Sequence, residues 1–97
     1  MRSVGWVPSY LVETYLARSD AEGIAAHEAR ARSAAEELTR EGTSVSFEGS
    51  THVPEDELCF FAFDAPSREV AALAAQLAGL DALRVVEAVS SRTGQVR

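Results

Sequence analysis

From Tyr10 to Leu16, "YLVETYL", apolar and polar residues alternate around the single charge of Glu13. A period of two built from β-branched and aromatic residues predicts a half-buried strand. The period then changes. Ile24, His27, Ala31, Ala34, Ala35 and Leu38 fall within roughly 100° of one another at the helical repeat. Glu22, Arg30, Glu36, Glu37 and Arg40 lie opposite. Ser19 or Asp20 offers an N-cap, and Glu22 places a negative charge in the first turn, where the helix dipole favours it. Gly42 stops the helix after Glu41. The inward stripe is mostly alanine, so this helix either approaches its sheet closely or leaves room over it.

Residues 43–53 read as a second strand and residues 58–64 as a third, with residues 54–57 turning the chain between them. Pro66 stands near the start of a second helix, where its missing N–H costs nothing. Asp64 or Ser67 caps that helix. Val70, Leu73, Ala74 and Leu77 form its apolar stripe, and Gly79 ends it. Residues 82–90, "ALRVVEAVS", read as a fourth strand. The order βαββαβ is the ferredoxin-like plan of the α+β class: a four-stranded antiparallel sheet with both helices on one face, because each crossover is right-handed. Residues 9–91 form the single domain, and residues 1–8 and 92–97 read as flexible tails.

In the stretch "THVPEDELCFFAFDAP", folding the chain about Glu55 and Asp56 sets Val53 opposite Leu58, His52 opposite Cys59, Ser50 opposite Phe61 and Glu48 opposite Phe63. Opposed residues share a sheet face. Unbroken strands then place Val45, Phe47, Gly49, Thr51 and Val53 with Leu58, Phe60 and Ala62 on the helix side. Ser46, Glu48, Ser50 and His52 with Cys59, Phe61 and Phe63 are left on the open face. Phenylalanines so placed call for a cover, and the expected partner is a second copy of the chain.

Size and charge narrow the partners. The 97 residues make one small domain with a thin core, which a partner subunit can supplement. The formal net charge is −6, from 15 acidic and 9 basic residues. Every basic residue is an arginine and they are scattered, so neither nucleic acid nor an anionic membrane is expected as a partner. No apolar run approaches the ~20 residues of a membrane span. The opening "SVGWVPS" is too short and interrupted for a signal peptide. The lone Cys59 fits a reducing cytoplasm. Abundant alanine and arginine without lysine suggest a GC-rich bacterial genome.

His52 and Cys59 pair a soft thiolate with an imidazole, a set suited to nickel, zinc or copper. The plainer reading is a dimer-face histidine beside an inert buried cysteine. Two ligands do not close a site, but a twofold axis joining two copies supplies four. His27 sits where Leu or Ala is expected, as a core histidine or as a general base tunable near neutral pH. Glu13 and Glu87 lie in neighbouring apolar strands. On one face they are candidates for raised pKa values; otherwise each pairs with an arginine such as Arg84 or reaches the sheet rim. No P-loop, GxGxxG or GxSxG is present in the sequence.

Taken in order, "YLVETYL", an Ala- and Arg-bearing helix, "HVPEDELCFFAFDAPS" and "LRVVEAV" resemble a family of small bacterial ferredoxin-like proteins that includes a nickel-binding protein. Its members show "YLVE", a hairpin of the type aromatic–V–S–E–D–x–x–C, an "APS" helix start and a late "EV" strand. The match spans residues 10–90. The resemblance implies protomers paired sheet to sheet in a dimeric α/β barrel, and it raises the expectation of nickel or another divalent transition metal. Glu13, Cys59 and Glu87 fall at matching positions, while His52 stands where members more often carry an aromatic residue. Three functions follow as expectations. One is a cytoplasmic homodimer binding such a metal, or a small ligand, through His52 and Cys59. Another is a cofactor-free isomerase, cyclase or monooxygenase using His27 with Glu13 or Glu87 in a pocket between helices and sheet. The third is a structural or interaction module.

Overall fold

The computed structural model describes residues 8–89. The expected flexible tails at 1–8 and 92–97 therefore lie, apart from Pro8, outside the described residues. Strand β1 (Ser9–Tyr15) leads through a 3₁₀ turn (Arg18–Gly23) into helix α1 (Ile24–Arg40). Strands β2 (Ser46–Val53) and β3 (Leu58–Asp64) form a hairpin, followed by helix α2 (Arg68–Leu77) and strand β4 (Ala82–Ala88). The sheet order is β2-β3-β1-β4 with every neighbouring pair antiparallel. This is the ferredoxin-like α+β fold. No helix among the described residues is long and apolar enough to cross a membrane.

Local chemistry accounts for most element ends. At Gly42 the backbone takes φ 105°, a conformation that costs glycine little. There Thr43 N–H reaches back to the Leu38 carbonyl at 2.9 Å and closes α1. Ser67, not Asp64, caps α2, accepting from the Val70 N–H at 3.2 Å. Neither Ser19 nor Asp20 caps α1. Both belong to the 3₁₀ turn, which is kinked at Asp20 before the α-helix begins at Ile24.

The hairpin has the expected register from Gly49 to Val53, including His52 opposite Cys59. It then breaks. Gly49 pairs with Ala62, yet Phe47 pairs with Phe63, so Glu48 is an extra residue in β2. This is a β-bulge, and it rests on Gly49 at φ 130°. The bulge moves Phe47 onto the face of Ser50 and His52.

The expected assignment of faces is thereby corrected. Cys59, Phe61 and Phe63 do not face outward: they are the fully buried side chains of β3 and lie under the helices with Tyr10, Val12 and Leu16. Leu58, Phe60 and Ala62 point the other way. Alanine drives this choice. α1 presents Ala31, Ala34, Ala35 and Leu38 to the sheet, and α2 presents Ala71, Ala74 and Ala75. Stripes that end at Cβ leave volume that large sheet residues must fill to reach native packing density. Phe47 supplies more of it, with ring centroids 5.5 Å from Phe63 and 6.3 Å from Phe61.

The expected stripe of α2 is corrected in the same way. Ala74 is buried, but Leu73 and Leu77 are 42% and 48% exposed, and Val70 is only partly buried against the core. In urea unfolding, Phe61→Ala is expected to cost about 3–5 kcal/mol, the range for truncating a buried phenylalanine. Leu77→Ala is expected to stay within about 0.5 kcal/mol. The opposite ranking would contradict this packing.

Candidate functional site

Hairpin register brings together the two residues proposed as metal ligands. His52 and Cys59 are cross-strand partners on the helix-covered face. Above them, Glu28 on α1 accepts a hydrogen bond from Ser50. His27, one residue earlier on α1, meets the Phe61 ring edge-on with centroids 6.2 Å apart. Its Nδ1 contacts the Arg30 guanidinium, whose Nε donates to the Ala78 carbonyl at 3.0 Å and ties α1 to the end of α2. Glu28 and Ser50 were not singled out in the sequence, because their proximity depends on how α1 crosses the hairpin.

The chemistry of this cluster is muted. The Cys59 thiol is fully buried, and burial, aided by the Glu28 carboxylate, pushes its pKa above the ordinary 9.0. A protonated thiol is a poor metal ligand and a poor nucleophile. His52 Nε2 is buried and has no hydrogen-bond partner among the described residues. Among the described residues, no three His, Cys, Asp or Glu side chains converge in a way that would hold a metal ion.

The carboxylates proposed for acid–base work are not brought together. Glu13 pairs with Arg84 across β1 and β4, whereas Glu87 pairs with Tyr10. Glu13 and Tyr10 are three positions apart, an odd offset in one strand, so the two carboxylates lie on opposite faces of the sheet. The expectation of a shared face is corrected on that ground. Glu13 sits on the open face and holds Arg84 Nε at 2.7 Å. Glu87 is exposed on the edge strand β4. His27 lies on the sheet-facing side of α1 against Phe61, across the sheet from Glu13.

Glu57, read in the sequence as part of a solvated turn, is a structural clasp. It adopts φ 54°, its carbonyl accepts from Leu16 N–H at 2.8 Å, and its carboxylate accepts from the Tyr15 hydroxyl and the Arg18 N–H, each at 3.2 Å. The Glu57 charge raises the pKa of Tyr15 above 10.0.

The open face remains. β1 contributes Leu11, Glu13 and Tyr15, β3 contributes Leu58, Phe60 and Ala62, β2 contributes Gly49, Thr51 and Val53, and β4 contributes Arg84 and Val86. No helix among the described residues covers it. Tyr15 is 61% exposed.

No protein-family model, curated protein or solved structure matches the chain.

The raised Cys59 pKa has a signed consequence. The unfolded chain begins to release this proton near pH 9.0 while the native state keeps it. The thiol's contribution to stability is therefore complete below that pH and falls as pH rises toward the native value. From about pH 8 to 9.5, Cys59→Ala should flatten the loss of stability, by at most about 1.4 kcal/mol per pH unit. Tyr15 titrates higher and leaves this window clear. A slope unchanged in the variant would contradict the buried, protonated thiol.

Proposed function

We propose that the chain is an assembly module that works as a homodimer, two copies packing their open sheet faces together into an α/β barrel. The observation that carries this reading is the composition of that face. Leu11, Leu58, Phe60, Ala62 and Val86 surround one ion pair, Glu13–Arg84. A patch of this kind on a monomer marks an interaction surface. The charge at its centre is internally balanced, and Asp64 at the end of β3 is held by the Ser9 hydroxyl at 2.6 Å, so a second copy related by a twofold axis meets a complementary centre and not a repelling one. Its size is also suitable. Four strands about 4.8 Å apart, each about seven residues long at roughly 3.3 Å per residue, span roughly 19 by 23 Å. With side-chain relief, two such faces bury on the order of 1,000 Å² in all, where specific interfaces begin.

A divalent-metal role, nickel included, is a second reading, favoured by one observation: the buried His52 Nε2, which has no partner among the described residues. It asks more of the molecule. Cys59 must ionise against its burial, and a third donor must move into place. Sheet-to-sheet pairing does not double the ligand set, because His52 and Cys59 lie on the helix side. An enzyme using His27 with Glu13 or Glu87 asks for still more, since the sheet stands between His27 and Glu13, and Glu87 is exposed on the edge strand β4, away from the hairpin over which His27 sits.

Sedimentation equilibrium across about 1–100 µM, a range set by micromolar affinities, should show the wild type as a dimer. Phe60→Glu, which puts an unpaired charge into the centre of the interface, should raise the dissociation constant at least about a hundredfold while keeping the native circular dichroism spectrum. A monomeric wild type, or a Phe60→Glu dimer of unchanged affinity, would refute the assembly. Metal is checked separately on untagged protein loaded with nickel. Stoichiometric metal lost in His52→Ala would establish the second reading, and no retained metal would remove it.

A further inference from the structure

An open groove of about 480 Å³ lies between the second half of α1 and the start of β2. Its floor is apolar, made of the buried Ala35 and Val45 and the half-buried Phe47. Its wall is charged, with Arg32, Glu36 and Arg40 on successive turns of α1. Thr39 braces the base: its hydroxyl donates to the Val45 carbonyl at 2.9 Å and accepts from the Val45 N–H at 3.1 Å. The groove is thus held by side-chain hydrogen bonds between α1 and the residue just before β2.

Two features specify what fits. The Arg32 guanidinium stands 5.5 Å from the centroid of the Phe47 ring. A guanidinium held over a ring keeps N–H donors free to grip a carboxylate. Neither Arg32 nor Arg40 has a carboxylate within ion-pairing distance among the described residues, where the ion pair is Arg84 with Glu13. The groove thus offers two guanidiniums free of ion pairs beside an apolar floor, with Glu36 on its wall and Glu48, which accepts from the Ser46 hydroxyl at 2.6 Å, at its rim. Glu36 lies between the two arginines and disfavours a second negative charge.

We propose that this groove binds a small amphipathic monocarboxylate, a medium-chain or aromatic acid. The apolar body lies on Ala35, Val45 and Phe47. The carboxylate pairs with Arg32, and Arg40 adds attraction at longer range. The volume is in the range of small-molecule sites. The groove lies on the helix side, away from the open sheet face, so this site is independent of the dimer.

The test is a titration of the ¹⁵N-labelled full chain with octanoate, followed by amide shifts, beside matched titrations with octylamine. Octanoate should give saturable shifts centred on residues 32–40 and 45–47. Arg32→Gln should weaken binding about tenfold, the scale of one charge-assisted pair. Phe47→Ala, which removes the aromatic floor and leaves both arginines in place, should also weaken the saturable shifts. The spectra themselves report that each variant is folded. The proposal is overturned by shifts that do not saturate or map elsewhere, by octylamine binding as tightly as octanoate, or by affinity unchanged in Arg32→Gln.

Discussion

Ala31, Ala34, Ala35, Ala71, Ala74 and Ala75 set the distance between the helices and the sheet. Their side chains end at Cβ, so the space between the layers is filled from the sheet side, by Phe47, Phe61, Phe63, Val12 and Tyr10. Close packing of this kind tolerates neither voids nor extra methylenes. One consequence is that Cys59, two residues before Phe61, is sealed under α1 and kept protonated. Another is that the alternate residues of β3, Leu58, Phe60 and Ala62, are turned to the outside. The inert thiol and the apolar open face thus share a single cause.

Much of this was legible in the sequence because it is local. The element order, strand β3 to the residue, the Gly42 stop and the His52–Cys59 pairing all follow from turn residues and period. What escaped was the bulge. In an unbroken β2, Phe47 shares a face with Thr51 and Val53, and placing Phe47 inside draws Leu58, Phe60 and Ala62 inside with it. The extra residue at Glu48 lets Phe47 and Phe63 lie on one face. Its trace in the sequence is a glycine inside a strand, which marks a bulge more often than a weak strand.

The helix faces were legible to different degrees. In α1 the stripe is the expected one, because charged residues mark the opposite side. In α2 few charges compete, and Leu73 and Leu77 outweigh alanine on any hydrophobicity scale, although fit against the sheet favours alanine. The site suffered from the same parity problem as the hairpin. Glu13 and Glu87 are on neighbouring strands, but only the β1–β4 register places them on opposite faces. The arginine groove depends on how α1 meets β2, which no local pattern in either segment discloses.

The packing of the phenylalanine face against alanine is the claim on which the rest depends. It is tested most directly by nuclear Overhauser contacts between phenylalanine rings and alanine methyl groups in the labelled protein. Strong cross-peaks from Phe61 and Phe63 to the methyls of Ala31, Ala34, Ala71 and Ala74, with none from Phe60, are the predicted result. Cross-peaks from Phe60 to those methyls, with Phe61 and Phe63 silent, would reverse the faces of the sheet and contradict both the buried thiol and the open apolar face.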